Sequence, residues 1–381
     1  MSDYLKNLIL LRYFTLFENL KLFGAIRTVY FGLILNSNFL AGILLSVYIL
    51  ANVIADVPLG VFSDIYGKKK TLILGAVCSF FGVLLYAFSS ALPILILGAI
   101  LEGVAGACFS GNNDAIIFES VKKEGLDFGA EYGKVMSFFQ IAMIIASFST
   151  LLVTFNLRYL VYFSLPFLFA NIILSFFVTD VKLEKSEKAN FFAQIKSGFA
   201  EMKNNPNLLR IGILNSFEFA FAEITYYFRS NFVASLWAIQ YVGLSKVISS
   251  IMATISFRYG SNFIDKFGTK KVLVFGGFAT RFIDIVTTIL NNVFSPALMG
   301  ISSIFYGTTS ISKTSLLQHK LTDKNRSTIP SFVSLFGNVL FAISSILFGY
   351  LSDNYGVFTT FILFQTGYLL ISIGYCFAKE K

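Results

Sequence analysis

Glu18, Lys21 and Arg27 stand inside one apolar run, and Glu218, Glu223 and Arg229 inside another. A charge at mid-bilayer costs about 2.5–3.5 kcal/mol on insertion scales, so such residues face a partner or a wet cavity. Their chemistry is that of holding a polar solute or carrying a proton. Glu18 and Lys21 are three apart and share a helix face. Either they neutralise each other or they present both signs to a solute. Arg27 is expected on the other side, near a boundary where it could snorkel. Asn215, Glu218, Ala222, Tyr226 and Arg229 fall on one stripe at helical periodicity. That stripe suits an organic solute with hydrogen-bonding groups; the alternative is an ion-pair network between helices. Glu223 lies off the stripe.

Glu102 sits among Gly98, Gly103, Ala105 and Gly106. Small residues let helices approach closely. A carboxylate buried there loses hydration, which disfavours its charged form, and that suits a group that takes up and releases a proton. The other reading is a neutral glutamate bonded to a neighbouring helix. Glu102 and Glu218 are the candidate proton-coupling residues. Glu18, Lys21, Asn215, Glu218, Tyr226 and Arg229 are the candidate solute-binding residues. Arg281 and Asp284, also three apart, are expected to pair.

A polar interruption needs its own explanation. "GVFSDIYGKKKTLILG", Gly60 to Gly75, has a weaker echo in "GSNFIDKFGTKKVLVFG", Gly260 to Gly276. Asp64 and Asp265 are each followed at the third position by a glycine, Gly67 and Gly268, and then by lysines. Those lysines include Lys68 and Lys69 in the first copy and Lys270 in the second. Glycine suits a tight turn between two helices. A repeat at this distance points to a duplicated unit.

The elements that position these residues follow from composition. Of 381 residues, 56% are hydrophobic and 13% charged, against about 25% charged in soluble domains. Spans of about 20 apolar residues read at 8–34, 39–62, 71–90, 93–116, 134–155, 159–179, 208–232, 236–259, 271–290, 294–317, 330–351 and 357–378. Backbone groups in hydrocarbon must bond internally, so these are helices. The expected fold is all-α and integral to the membrane, with twelve helices in two pseudo-symmetric six-helix bundles. The bundles occupy 1–179 and 208–381, joined by a cytoplasmic linker at 180–207. Within the linker, Phe192, Ile195, Phe199 and Met202 recur at helical spacing among lysines. Either a surface helix or a solvated linker fits.

Lysine and arginine crowd the termini and the connections after even-numbered spans, whereas the opposite connections hold only Arg158. Both termini are therefore expected in the cytoplasm, in a cell (inner) membrane. The net charge of +9 reads as topology, and no nucleic-acid partner is expected. Arg12, Glu18 and Lys21 interrupt the first apolar run, so no cleavable leader is expected. Cys78, Cys108 and Cys376 lie in apolar runs and are expected to be free thiols. No metal spacing, phosphate-cradling loop or nucleophile–base pair is present in the sequence, so neither catalysis, a cofactor nor a metal is expected.

The stretch Gly60, Asp64, Gly67, Lys68, Lys69 and Lys70 resembles the loop signature of the major facilitator superfamily. The second copy keeps Asp265, Gly268, Lys270 and Lys271 but has Ser261 at the first glycine. The resemblance implies two halves that rock around a central cavity in alternating access, with spans 1 and 7 facing each other across it. It further implies a cytoplasmic gate. Asp64 would latch onto the start of span 11, near Ser327 or Thr328, and Asp265 onto the start of span 5. The lysines would pair with Asp114 or Glu119. Ile65 departs from the pattern, occupying a usually basic position. "DVPLGVFSD", with Asp56 and Pro58, resembles a bacterial permease subgroup with an acid-x-Pro-x-Gly end to span 2. Glu102, Ser110, Gly111, Ala115 and Glu119 fit that subgroup too. Asp56, close to the inner boundary, reads as a gate residue. The arginine often seen in span 4 of proton-driven members would fall near Ala99. Span 5 lacks the Gly/Pro-rich signature of drug antiporters.

The expected function is a secondary active transporter moving a small organic solute, with proton-coupled export placed first. The alternatives are a proton-coupled uptake symporter, a lipid flippase and a non-transporting solute sensor. The expected partners are the solute, protons and membrane lipid, and the chain is expected to be a monomer.

Overall fold

Helix is the only regular structure among the described residues of the computed structural model, which are 2–152, 156–180, 205–318 and 328–377. The chain divides into two compact units. The first comprises Met1–Leu35 and Leu44–Glu187, and the second Asn36–Ile43 and Lys188–Lys381. The expected boundary at 180–207 and the postulated surface helix lie largely outside the described residues.

The first unit holds α1 (Asp3–Asn19), α2 (Arg27–Leu35), most of α3 (Asn38–Tyr66), α4 (Lys68–Phe88), α5 (Leu92–Phe109), α6 (Asn112–Glu124), α7 (Phe128–Phe148) and α8 (Arg158–Phe177). Local chemistry sets the ends. Ser2 caps α1 by accepting from the Leu5 N–H at 3.1 Å, and Asp127 caps α7 by accepting from Ala130 at 2.8 Å. Such side chains satisfy donors that a helix start leaves without partners. The α4 helix packs on α5 and α8, and α1 on α6, α7 and α8. Leu8, Leu11, Phe14, Leu72, Ile116 and Val121 bury their side chains at this crossing.

The second unit holds α9 (Pro206–Leu236), α10 (Val242–Phe267), α11 (Thr269–Leu290), α12 (Ser295–Ile301), α13 (Tyr306–Gln318), α14 (Thr328–Tyr355) and α15 (Val357–Gly374). Asn205 caps α9, and Pro206 takes the first helical position, where its missing N–H costs nothing. The α9 helix packs on α14 and α15, α10 on α13, and α11 on α13 and α15. Leu208, Ile211, Leu273, Leu316, Ile329 and Val333 form the core there.

Three expected spans are interrupted, among them 294–317, which passes through a short 3-10 segment at Ser302–Phe305. The stretch read as 8–34 ends its first helix at Asn19 and resumes as helix only at Gly24. The stretch read as 93–116 breaks at Ser110 and Gly111, where Gly111 takes φ +64°. Eight helical segments among the described residues are long and apolar enough to cross a membrane. The spans outside that set are those read at 8–34, 208–232, 236–259 and 294–317. The first and the last are broken, while α9 carries Arg210, Glu218, Glu223 and Arg229, and α10 carries Lys246 and Arg258. Polarity that lowers a helix's hydropathy is what a helix facing other helices or a cavity tolerates. The outer faces are apolar: Ile54 is 70% exposed, Phe88 69%, Phe275 67% and Leu370 65%. A surface so rich in exposed large apolar side chains belongs against lipid rather than water.

Candidate functional site

In the first unit the charges close on one another. The helix α1 stops one residue after Glu18, the backbone turns through a short 3-10 segment at Gly24–Ile26, and Arg27 opens α2. The break brings Lys21 to 2.9 Å from Glu18 Oε1 and 3.0 Å from Glu102 Oε1. Arg27 pairs with the other oxygen of Glu102. Arg27 therefore turns inward instead of snorkelling outward, because the interruption of span 1 redirects it. Ser79 donates to Glu18 at 2.6 Å and Asn171 donates to its second oxygen at 3.0 Å. The Arg27 guanidinium also lies over the Tyr48 ring, 5.0 Å from its centroid. Glycine makes the room: a Cβ on Gly82 would press on Glu102 Cγ and the Gly98 carbonyl, drawing α4 against α5. Glu102 is 2% exposed.

In the second unit the charges fall into two groups. Asp284 is fully buried and collects Arg229 at 3.3 Å, Arg281 at 3.4 Å, Gln365 at 3.4 Å and the Ser302 hydroxyl at 2.6 Å. Arg229 also donates to Ser249 and to the Met299 carbonyl. Arg281 stacks on Tyr368, 3.7 Å from the ring centroid. The other group surrounds Glu218. Tyr375 Oη lies 2.8 Å from Glu218 Oε2 and 2.5 Å from Asn215 Oδ1, and Lys313 lies 3.5 Å from Glu218 Oε1. Tyr226 is 44% exposed and carries Lys246 above its ring at 4.3 Å. Glu223 lies within electrostatic reach of Lys246 and Lys313.

The stripe Asn215, Glu218, Tyr226 and Arg229 is therefore one helix face with separate duties. Glu218 and Asn215 meet Tyr375, Tyr226 meets Lys246, and Arg229 meets Asp284. The pair Arg281 and Asp284 was visible from spacing. Tyr375, Gln365, Ser79 and Asn171 were not, since neutral polar residues inside apolar runs give no periodic signal.

The turn residues take the expected backbone. Gly67 adopts φ +100° and Gly268 φ +86°, the left-handed side of the map that glycine reaches without strain. Lys68 pairs with Asp64 at 3.1 Å rather than with Asp114 or Glu119. Asp64 and Asp265 are exposed. Asp180 supplies the acid at the start of α4, accepting from the Lys69 N–H at 3.2 Å. Ser63 and the Lys68 carbonyl are tied to Asn112 at 2.9 and 3.0 Å, fixing the turn to the start of α6. Asp114 stands in the first turn of α6 and Glu119 further along it. Asp56 lies near the Ser110 side chain, at the break between α5 and α6. Gly60 has open space where a Cβ would be. Ser327 lies outside the described residues. The described residues contain no group of His, Cys, Asp and Glu that could hold a metal.

Long apolar helices carrying buried ion pairs define a multi-pass membrane protein of transporter type. The family model described as Major Facilitator Superfamily matches residues 10–261. The chain belongs to that superfamily. It is 44% identical over 66 residues to the class B tetracycline resistance protein of Escherichia coli, covering 17% of this chain and 16% of that one. It is 28% identical over 174 residues to an uncharacterized transporter of Buchnera aphidicola subsp. Baizongia pistaciae, covering 44% and 43%. These matches span less than half the length of either relative. Among solved structures, a mutant of the nucleoside transporter NupG superimposes with a TM-score of 0.84 at 17% identity, covering 97% of this chain and 99% of that one. A mutant of the peptide transporter POT, in complex with sulfate, gives 0.74 at 13% identity, covering 97% and 94%. At such identities the likeness is one of fold.

Proposed function

We propose that the chain is a secondary active transporter of twelve spans in two six-helix halves. It moves a small organic solute across the cytoplasmic membrane by alternating access, with proton-coupled export. The observation that carries this reading is the set of ion pairs buried in helices otherwise fit for lipid. Such charges are expensive to place and mark pathways or relays. Glu102 and Glu218 are the proposed proton carriers. Glu18, Lys21, Asn215, Tyr226 and Arg229 line the proposed solute path, and Asp56, Asp64, Asp114, Glu119 and Asp265 belong to the proposed gate with the adjoining glycines and lysines. On the α9 side, Arg229, Lys246, Arg281 and Lys313 face Glu218, Glu223 and Asp284, four cations to three carboxylates. That surplus favours a solute bearing an anionic group.

The test is a solute screen in proteoliposomes with an imposed pH gradient, recording solute and proton flux together. Solute movement that collapses with the gradient is expected. Accumulation indifferent to pH but driven by another ion would remove the proton from this reading, and no gradient-driven movement of any solute would remove transport.

A further inference from the structure

The carboxylates of the second unit are not equally provided for. Asp284 and Glu218 each have a cation within ion-pair distance and a hydroxyl donor beside it. Glu223 has neither among the described residues. It is half-buried on α9, and Lys313 and Lys246 act on it electrostatically from beyond ion-pair distance. A carboxylate that has lost part of its water without gaining a donor can still take one.

The two lysines are placed differently. Lys313, on α13, stands with Glu218 at 3.5 Å. Lys246, on α10, lies over the Tyr226 ring at 4.3 Å from its centroid. Glu223 and Tyr226 are three apart and so neighbour each other on adjacent turns of α9. Lys246 is thereby held about one helical turn from Glu223, with a gap between the two charges. Rings border that gap. Tyr226 is 44% exposed and Tyr306 53%, and both lie within electrostatic reach of Glu223. Phe257 meets Tyr306 edge-on, with centroids 5.8 Å apart. The start of α13 is fixed against α10, where the Thr308 N–H donates to Ser256 at 3.1 Å. Gly307 permits this approach, since a Cβ there would overlap the Phe257 backbone nitrogen. All of these residues belong to the second unit.

We propose that Glu223, Lys246, Tyr226 and Tyr306 form a site for a zwitterion of the amino-acid type, one with an apolar or aromatic side chain. The ammonium group of the solute donates to Glu223, its carboxylate accepts from Lys246, and its side chain lies against the two rings. The inference rests on the transporter reading above and narrows its solute. A purely anionic solute satisfies Lys246 but is repelled by Glu223, and a purely cationic one suffers the reverse. A solute carrying both signs on one carbon bridges the gap and satisfies each. An ammonium group has three donors, so Lys246 can hold a carboxylate without leaving the ring. Hydrogen bonds between charged groups are the strong ones.

The test reads binding in the purified full-length protein, not flux. Three probes share one ring and differ in charge: phenylalanine has both groups, 3-phenylpropionate only the carboxylate and 2-phenylethylamine only the ammonium. Leucine, 4-methylpentanoate and 3-methylbutylamine repeat the series on a branched chain. Affinity is taken from the saturable rise in melting temperature at constant ionic strength and neutral pH. Each amino acid is expected to bind about tenfold tighter than either of its analogues, as loss of one hydrogen bond between charged groups implies. Glu223→Gln is expected to lower the amino acid to the level of the carboxylate-only probe, and Lys246→Gln to that of the ammonium-only probe. Glu223→Asp, which keeps the charge, is expected to retain the preference. An analogue that binds as tightly as its amino acid would overturn the site, and so would no saturable shift with either amino acid. Variants that melt lower yet rank the probes as the parent does would mark a structural charge pair and overturn it too. The ranking in the parent decides even where a substitution fails to fold. An amino acid that binds in this pattern but does not move in proteoliposomes fails the transporter reading alone, and solute transport without the pattern fails the zwitterion site alone.

Discussion

The two compact units hide their charges differently. In the first, Glu18, Lys21, Glu102 and Arg27 form a closed, balanced set, two of each sign, within one continuous chain of contacts. In the second, Asp284 is shared by two guanidinium groups, and Glu218 is paired with Tyr375 and Lys313. Rings also cover cations here: Tyr368 lies against Arg281 and Tyr226 under Lys246. A balanced set is held by its own Coulomb energy and resists outside ions. The second set is the one proposed above to meet a solute bearing an anionic group. On that difference, Glu102 is expected to serve coupling alone and Glu218 both coupling and solute contact.

Removing Asp284 is expected to have the largest effect. Asp284→Ala strands two buried guanidinium groups, and breaking a buried pair in this way costs about 3–5 kcal/mol. Detergent-solubilised protein should show a sharply lowered melting temperature or fail to accumulate. A variant as stable as the parent would mean that the rings alone hold Arg229 and Arg281, and the contrast between the units would weaken.

Next come the two glutamates. Glu102→Gln should abolish accumulation driven by a pH gradient while leaving counterflow partly intact, because a carrier of protons is lost and the solute face is not. Glu218→Gln should depress both, since Glu218 shares its face with Tyr226. Counterflow measured beside gradient-driven uptake separates them. Equal behaviour of the two variants would erase the division of labour, and full pH-driven accumulation in both would move coupling elsewhere.

A smaller effect is expected at Arg281→Lys. The charge survives, but the planar stack on Tyr368 and the fork toward Asp284 and Gln365 do not. A loss of about 1 kcal/mol in stability follows from the stacking contribution. Weaker competition by anionic than by neutral solutes in this variant would sharpen the recognition assignment.

The smallest concerns Lys68 and its exposed partner Asp64. Lys68→Ala should change stability by about 0.5 kcal/mol or less, as surface i,i+4 pairs do. A melting shift of several degrees would show that the turn holds the first unit together, a duty that otherwise falls to the buried set.

Much of the architecture was legible in the sequence because hydrocarbon imposes a coarse rule: long apolar runs must be helices. The turns were legible because a left-handed backbone between helices selects glycine, and both Gly67 and Gly268 adopt it. Yet "GYLSDNYG" does not stand out beside "GVFSDIYG", because lysines mark the polar turns and this copy has none. Arg27 is misplaced by periodicity for a related reason. A periodicity argument assumes an unbroken helix, and α1 ends at Asn19.

The sequence by itself determined the class of protein, the position of its polar turns and the identity of the charges that had to be compensated, because those follow from composition and local backbone preference. Only the tertiary structure decided the partners. Glu102 receives Lys21 and Arg27 from a broken first span, Glu218 receives Tyr375 from the turn that follows α15, and Asp353 reaches Asn38 across most of the chain. Pairing in a bundle depends on which helix faces touch and on where a missing Cβ lets two backbones meet. No periodicity within a single helix carries that information.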